Sequence, residues 1–562
     1  MDPEAIYSLI KRYVLYNAYK YKGKADMGAV LSKLMGEHPE LRPLAKDASK
    51  IIQNVIDEVN KLTFEEQTRL LENGAPELLE HVPLERKKEG LPELPNKGHI
   101  VMRFAPNPNG PPTLGSARGI IINSEYAQKY SGTFILRFDD TDPQTKRPML
   151  EAYDSYVEDC EWLRAKPDIV VIASDRMPIY YSYAEKLIKL GAAYICTCTQ
   201  EEFKRYKEAA IPCPHRDRTR EENLKFWGDM LDGLFREKEA VLRIKTDIKH
   251  KNPALRDWIC FRIINKEHPR GLTYFVWPML DFESAIEDHL LNVTHIVRGK
   301  DLHDSEKRQQ FLYKYLGWQY PITMHWGRIS IHEFGKFSTS EIKRAIEKGM
   351  YLGWDDPKLP TICALRRRGF HPQALRNFFI NLGINESDIS ISLENLYAEN
   401  RKIIDAAAHR YFFVKDPVRM KIIGAASTTA TPPLHPSSNV GFRKIEVGSE
   451  IFISSEDTKF ALGDVIRLKD LYNVKIVTLN PLIAEFAGDE RTRELKIVHW
   501  SPINGLKVEV LTPEGVDYGI GEQGIASEIN NVVQFERYAF VRIDDVIEHG
   551  DKTKIIAYFT HK

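Results

Sequence analysis

Two segments of this sequence carry groups suited to chemistry on a phosphate. The first, Arg103-Phe-Ala-Pro-Asn-Pro-Asn-Gly-Pro-Pro-Thr-Leu-Gly115, runs from an apolar stretch through a turn rich in Pro and Gly into a helical pattern. The second, Lys336-Phe-Ser-Thr-Ser340, lies far downstream. A helix whose first turn holds Thr113, Gly115 and Ser116 offers unpaired backbone N–H groups to a phosphate. Gly115 lets a nucleotide approach the backbone closely, and the hydroxyls of Thr113 and Ser116 are further donors to phosphoryl oxygens. Lys336, with Phe337 and Ser338 beside it, supplies positive charge from a second loop. Such a combination suits the adenylation of an acid.

Positioning these groups calls for a sheet with helices on both faces. Ile100 to Phe104, Thr133 to Phe138 and His295 to Val297 read as buried parallel strands, with helical patterns between them. In a doubly wound α/β sheet ligands bind beyond the carboxyl ends of strands, where Asn107 to Gly115 and Asp139 to Asp142 fall. Upstream the pattern is helical: Ile6, Leu9, Ile10, Tyr13 and Val14 recur at helical spacing, as do Leu44, Ala48, Ile51, Ile52, Val55 and Val59. This appendage extends to about residue 84. The charged Glu85 to Gly90 and the Pro-bearing Leu91-Pro-Glu-Leu-Pro95 read as a linker. Helices return from about 350 to 410. Beyond Tyr411 come short strands, Lys496–Trp500, Leu506–Leu511, Tyr538–Ile543 and Lys554–Phe559, in the texture of β-barrels, which often bind oligonucleotides. Ser427 to Ser438, rich in Ser, Thr and Pro, reads as a mobile loop.

At 562 residues the chain exceeds what one core can hold, so several domains are expected. No apolar run reaches the ~20 residues of a membrane span, and the first residues lack the form of a signal peptide, so the expected compartment is the cytoplasm. Six cysteines in so long a chain fit a reducing environment, where clustered ones suggest metal before disulfide. Net charge is zero, which neither supports nor excludes nucleic acid. Cys196-Thr-Cys198 and Cys213-Pro-His215 are two close pairs separated by 14 residues, and their four soft or borderline ligands suffice for one tetrahedral structural zinc. Merely reduced thiols are the other reading. Cys160, Cys260 and Cys363 stand apart and read as core residues.

With these elements assembled, the chain resembles the class I aminoacyl-tRNA synthetases, specifically the archaeal-type glutamyl enzymes and the related glutaminyl ones. The resemblance rests on Arg103 to Gly110, Arg137-Phe-Asp-Asp-Thr-Asp142, Asn252 to Trp258, Val293 to Asp301, Lys336 to Ser340, Lys496 to Trp500 and Phe535-Glu-Arg537. It implies a multidomain α/β plus all-β protein: a helical appendage and linker (1–96), a Rossmann-like catalytic domain (97–349) with an insertion at about 190–270 that holds the tRNA acceptor end, a helical connector (350–410) and two anticodon-binding β-barrels (411–562). The implied activity is ligation of L-glutamate to tRNA(Glu), and by resemblance also to tRNA(Gln), through a glutamyl-adenylate. ATP with Mg²⁺ is the implied substrate and activating ion, and zinc the implied structural metal. A glutaminyl enzyme and a catalytically inactive tRNA-binding relative are the alternatives.

Two departures bear on that choice. Thr113 and Ser116 stand where the family's first signature has histidines, and hydroxyls can partly replace these as donors. The second signature keeps Lys336 but loses its other lysine. For the amino acid, a glutamate site wants two cations and one anion in a cleft. Arg103 and Arg298 are candidates for the cations, and Asp139 matches the family position that holds the α-amino group, with Ala105 beside them. Arg298 favours glutamate, because glutaminyl relatives carry an uncharged residue there. Pairing with Asp301 is its bland reading. By resemblance Asp301 contacts the ATP ribose, with helix capping as the other reading. Leu280 stands where relatives often have a tyrosine, leaving that wall of the pocket open. Candidates for tRNA contacts are Arg366, Arg367 and Arg368 ahead of the connector helices, and Arg467 and Lys469 in the barrels. A solvated charge run is the alternative for the three arginines.

Overall fold

A computed structural model describes residues 3–20, 23–38, 45–75, 90–95, 98–331, 339–438, 440–492, 494–549 and 552–562. The chain divides into two compact units, Met1–Glu89 and Gly90–Lys562.

The first unit contains helices Pro3–Lys20, Met27–Glu37, Ala45–Val59 and Phe64–Gly74. Asp26 caps the second, accepting from the Ala29 N–H, and Thr63 with Glu66 forms a reciprocal capping box on the fourth. The apolar stripes read from the sequence meet in one core, with Ile10, Val14, Ile52, Val55 and Val59 buried. Leu44 and residues 76–84 of the expected helical stretch lie outside the described residues.

In the second unit, strands β1 (Val101–Phe104), β2 (Thr133–Phe138) and β3 (Ile169–Ile172) are followed by β4 (Ala193–Cys196), β5 (Val241–Ile244), β6 (Ile259–Ile263) and β7 (Val276–Pro278), then β8 (His295–Gly299) and β9 (Ile322–Trp326). One parallel sheet has the order β3-β2-β1-β8-β9. With the intervening strands set aside this is the doubly wound order, which reverses between β1 and β8 and opens a crevice at their carboxyl ends. Strands β4 to β7 form a separate antiparallel sheet, with its own core around Trp227, Phe261 and Trp277. The interruption expected at about 190–270 is therefore a layer in itself, and its last strand reaches Pro278.

Helices Ile362–Arg367, Pro372–Leu382 and Glu394–Ile404 share the core of the parallel-sheet layer: Leu365, Leu375, Phe379 and Leu396 are buried together with its Ile120, Leu136 and Val297. Two expectations are corrected. Leu91 to Pro95 is docked on that layer and is no free linker: Leu94 is 2% exposed in its core, the Leu94 N–H donates to Tyr130 Oη at 3.0 Å, and Tyr126 donates to the Pro92 carbonyl. Nor is the stretch 427–438 a loose loop. Thr428–Ala430 pairs with Ile445–Val447, and His435 accepts from the Ser437 and Ser438 N–H groups.

Beyond residue 410 two seven-stranded sheets form. One joins Arg410–Tyr411 and Phe413–Lys415 to strands from Leu506 onward; the other is built from strands between Pro417 and Pro502. The chain thus crosses from the first sheet into the second and returns. At the crossing, Phe412 points into one core and Phe413 into the other.

Candidate functional site

The crevice between the carboxyl ends of β1 and β8 contains a cavity of about 180 Å³ lined by Arg103, Ala105, Asp139, Leu280, Arg298 and Trp326, among others. The sequence-derived residues for an acidic substrate are therefore gathered in one place. Beneath them lies a buried ion web. Arg103 grips Asp288 through Nε at 3.1 Å and Nη2 at 3.3 Å. Arg137, fully buried, reaches Asp139 at 2.6 Å, Asp288 at 2.7 Å and Ser284 Oγ at 2.8 Å. Although burial opposes it, the two guanidiniums hold the Asp288 carboxyl below its usual range. Glu283, also fully buried, accepts from Thr141; burial and the nearby Asp139 push its carboxyl well above the usual range.

Arg298 is 5% exposed. Its guanidinium donates to Gln309 Oε1 and the Tyr320 hydroxyl, and its Nε has no hydrogen-bond partner. Among the described residues no carboxylate pairs with it, so Asp301 is not its counter-ion. Asp301 caps no helix either: it lies exposed within a 3-10 turn ahead of helix His303–Leu316, whose cap is Leu302. A Cβ at Gly299 would sit 2.4 Å from Asp301 Oδ1, so a side chain there would displace the Asp301 carboxylate. Leu280 lines the cavity and is 41% exposed.

The turn after β1 ends at Thr113, which precedes helix Leu114–Lys129 and makes no side-chain capping bond. Leu114 N–H donates to Pro360 O and Ile362 N–H to Pro112 O, so the connector clamps the helix start. A Cβ at Gly115 would meet nothing nearer than Thr113 Oγ1 at 3.6 Å, which leaves the backbone there open. Ser116 Oγ lies 3.4 Å from Tyr156 Oη. Lys336, Phe337 and Ser338 lie outside the described residues. Helix Thr339–Glu347 follows them, and Thr339 Cγ2 lies where a Cβ on Gly110 would clash, 2.2 Å away.

In the insertion, one ligand atom from each of Cys196, Cys198, Cys213 and His215 lies within 4.8 Å of the others. Cys196 Sγ is 4.0 Å from Cys213 Sγ and Cys198 Sγ 3.3 Å from His215 Nδ1. Thr197 Oγ1 holds the other ring nitrogen of His215 at 3.0 Å, the outer-shell contact that orients a ligating imidazole. The Cys213 hydrogen bond, aided by Arg243, pulls the Cys196 thiol down to about 7 against its burial. Three sulfurs and a nitrogen so gathered fit tetrahedral zinc.

The cations expected to contact tRNA are engaged within the fold. Arg368 is fully buried and donates to the Phe559 and Thr560 carbonyls; Arg467 is buried and donates to Asn473, Leu471 and Asp489. Both are structural and are withdrawn as phosphate ligands. Arg367 is paired with Asp355 and Asp544, Arg366 lies near Asp159 and Glu158, and Lys469 is paired with Asp470 and Glu536, so none is a free cation. A cleft of about 610 Å³ between the two β-sheets is lined by bases and acids together: half-exposed Arg537 is paired with Asp457, Lys415 with Asp517 and His499 with Glu536. Arg137 and Asp288 were missed as site residues. Arg137 opens Arg137-Phe-Asp-Asp-Thr-Asp142 two residues before Asp139, a usable signal; Asp288, one acid in a helical pattern, offered none.

A model of the tRNA synthetases class I (E and Q) catalytic domain matches residues 99–406, and one of the same family's anticodon-binding domain matches residues 408–486. The chain is 54% identical to "Glutamate--tRNA ligase" of Methanothrix thermoacetophila and 53% to that of Methanosarcina acetivorans, over all of each chain. It is 47% identical to that of Pyrococcus furiosus over 99% of both chains. With its catalytic-domain match spanning more than half of the sequence and its doubly wound sheet holding the charged crevice, the chain belongs to the class I (E and Q) tRNA synthetases.

Proposed function

We propose that this chain ligates L-glutamate to tRNA(Glu), and also to tRNA(Gln), in the cytoplasm. The observation that carries the amino-acid choice is Arg298, a buried guanidinium with no carboxylate partner among the described residues. Around the cavity Arg103 and Arg137 are paired with Asp288 and Asp139 and Asp281 with Arg308, which leaves the unpaired charge of Arg298 in excess. Glutamate carries one net negative charge and neutralises that excess, whereas glutamine carries none and leaves a buried cation unpaired.

The reaction runs in two displacements. The glutamate α-carboxylate attacks the α-phosphorus of ATP and pyrophosphate leaves; the terminal ribose hydroxyl of the tRNA then attacks the mixed anhydride, giving the ester and AMP. Arg103 and Asp139 orient the α-carboxylate and α-ammonium, and the ion web beneath keeps their geometry. The first turn at Gly115, with Thr113 and Ser116, donates to the phosphates, Asp301 receives the ribose, and Lys336, Phe337 and Ser338 complete the ATP-binding set expected from the sequence. Mg²⁺ bound with the nucleotide would shield the phosphate charge. No protein nucleophile is required. Zinc held by Cys196, Cys198, Cys213 and His215 would stiffen the insertion that receives the acceptor end. The four-part body read from the sequence, with boundaries near 97, 350 and 411, then assigns the anticodon to the β-sheets, where Arg537, though paired with Asp457, is half exposed and Arg467 is buried.

Separate tRNA(Glu) and tRNA(Gln) are to be charged with labelled glutamate and with labelled glutamine, in ATP and Mg²⁺. Glutamate on both tRNAs is expected. Glutamate on tRNA(Glu) alone makes the enzyme discriminating; transfer of glutamine overturns the role of Arg298, and no transfer favours an inactive scaffold.

A further inference from the structure

Apart from the crevice and the cysteine cluster, His303, His325 and Glu386 converge from three elements. His303 opens helix His303–Leu316, His325 lies on β9, and Glu386 follows helix Pro372–Leu382. One ligand atom from each lies within 4.8 Å of the others, and the two ring centroids are 3.9 Å apart. His325 is 8% exposed, and its Nε2 has no hydrogen-bond partner. Glu306, one turn along from His303, brings Oε2 to 3.1 Å of that nitrogen, but without the alignment a hydrogen bond needs. A buried ring nitrogen left in this state costs free energy unless a further group completes it.

Two imidazoles and a carboxylate are the donors of a borderline divalent cation, with zinc foremost and room for a fourth ligand. We propose that His303, His325 and Glu386 bind a divalent transition-metal cation, zinc by donor type, at a site distinct from the cysteine cluster. The ion fastens the loop after helix Pro372–Leu382 to the wall of the crevice. That wall is close by: His325 is the register partner of Arg298, and Leu302, the neighbour of His303, lines the cavity. The same loop is already drawn there by Lys300 with Asp388 at 2.9 Å and by the Arg328 N–H to Asp388 at 2.7 Å.

The full chain is to be loaded with Zn²⁺, freed of excess by gel filtration and analysed for metal per chain. Two equivalents are expected, one lost in Cys213→Ser and the other in Glu386→Gln. Glu386 is exposed, so its variant folds even where one at buried His325 fails; His303→Asn repeats the test from a second element. Loading with Co²⁺ separates the sites independently, because only the cysteine cluster gives thiolate-to-metal charge-transfer absorption. That absorption should persist in Glu386→Gln while the remaining ligand-field bands diminish. A single equivalent abolished by Cys213→Ser overturns the proposal, as do two equivalents that survive both Glu386→Gln and His303→Asn.

Discussion

Gly115 carries opposed demands within one residue. It stands in the first turn of a helix, where alanine is the better helix former, and a Cβ there meets no protein atom closer than 3.6 Å. The open backbone is useful only to a ligand. Gly115→Ala should therefore raise the melting temperature slightly, by about 1 kcal/mol of helix propensity or less, while lowering kcat/KM for ATP about tenfold or more through lost close approach. A variant that keeps full activity would remove Gly115 from the nucleotide site. Arg298→Gln keeps a hydrogen-bonding side chain but deletes the unpaired charge. The KM for glutamate in tRNA charging should rise at least tenfold, in line with the ~2–5 kcal/mol cost of truncating a buried charged partner, with the KM for ATP unchanged. Asp159 shows how burial reaches into pH. It is 1% exposed, its Oδ1 has no hydrogen-bond partner, and burial pushes its carboxyl up to about 7 despite Arg366 nearby. Between the ordinary carboxylate range and about pH 7 the folded chain holds a proton that the unfolded chain has released, so stability falls as pH rises across that window. Asp159→Asn should flatten the slope and leave the variant a few kcal/mol more stable than the parent at pH 8, with no gain near pH 4, as read by urea unfolding.

At the scale of elements, the turn after β1 and helix Thr339–Glu347 are in contact through Gly110. Its absent Cβ is what lets Thr339 Cγ2 come so near, and this contact sets where the start of helix Thr339–Glu347 lies against the turn. Gly110→Ala should push that helix start away and reduce kcat about tenfold or more, since small misplacements of a reacting group are costly. Thr339→Ser removes the clashing methyl, so the double variant should recover most of the lost rate. Failure of this rescue would mean that Gly110 acts through its backbone freedom instead. The parallel sheet itself was well marked in the sequence, as β1, β2 and β8 are apolar runs between turns. The connector helices were marked too, but their dependence on the core of the parallel-sheet layer was not, because a helical stripe does not name its partner.

For the whole molecule, the two units own separate cores, and the second starts earlier than composition suggests. A chain beginning at Gly90 should fold with the cooperative transition of the second unit and charge tRNA. One beginning at Gly98 loses Leu91 and the buried Leu94, and should be less stable by about 2–4 kcal/mol from lost burial alone. Equal denaturation midpoints for the two truncations would show that Leu91 to Pro95 contributes nothing. The β-sheets are interleaved along the chain: residues 410–415 join strands from 506 onward while 417–502 build the other sheet. Short strands of similar texture announced all-β structure, yet their sorting into two sheets was not legible, since local alternation specifies a buried face and leaves open which sheet supplies its neighbours.

The sequence by itself determined the chemistry available: hydroxyls and an open glycine at a helix start, Arg298 and Asp139 for an acidic amino acid, and three thiols with an imidazole for a metal. These follow from residue type and near-neighbour spacing, which act over a few residues of chain. The tertiary structure alone decided which charges remain free. Arg103 and Arg137 meet Asp288 across 185 and 151 residues of sequence, and Arg368 and Arg467 are taken up by carbonyls and an amide inside the fold. A buried cation must find a partner wherever packing supplies one, and that choice is made by contacts distant in sequence.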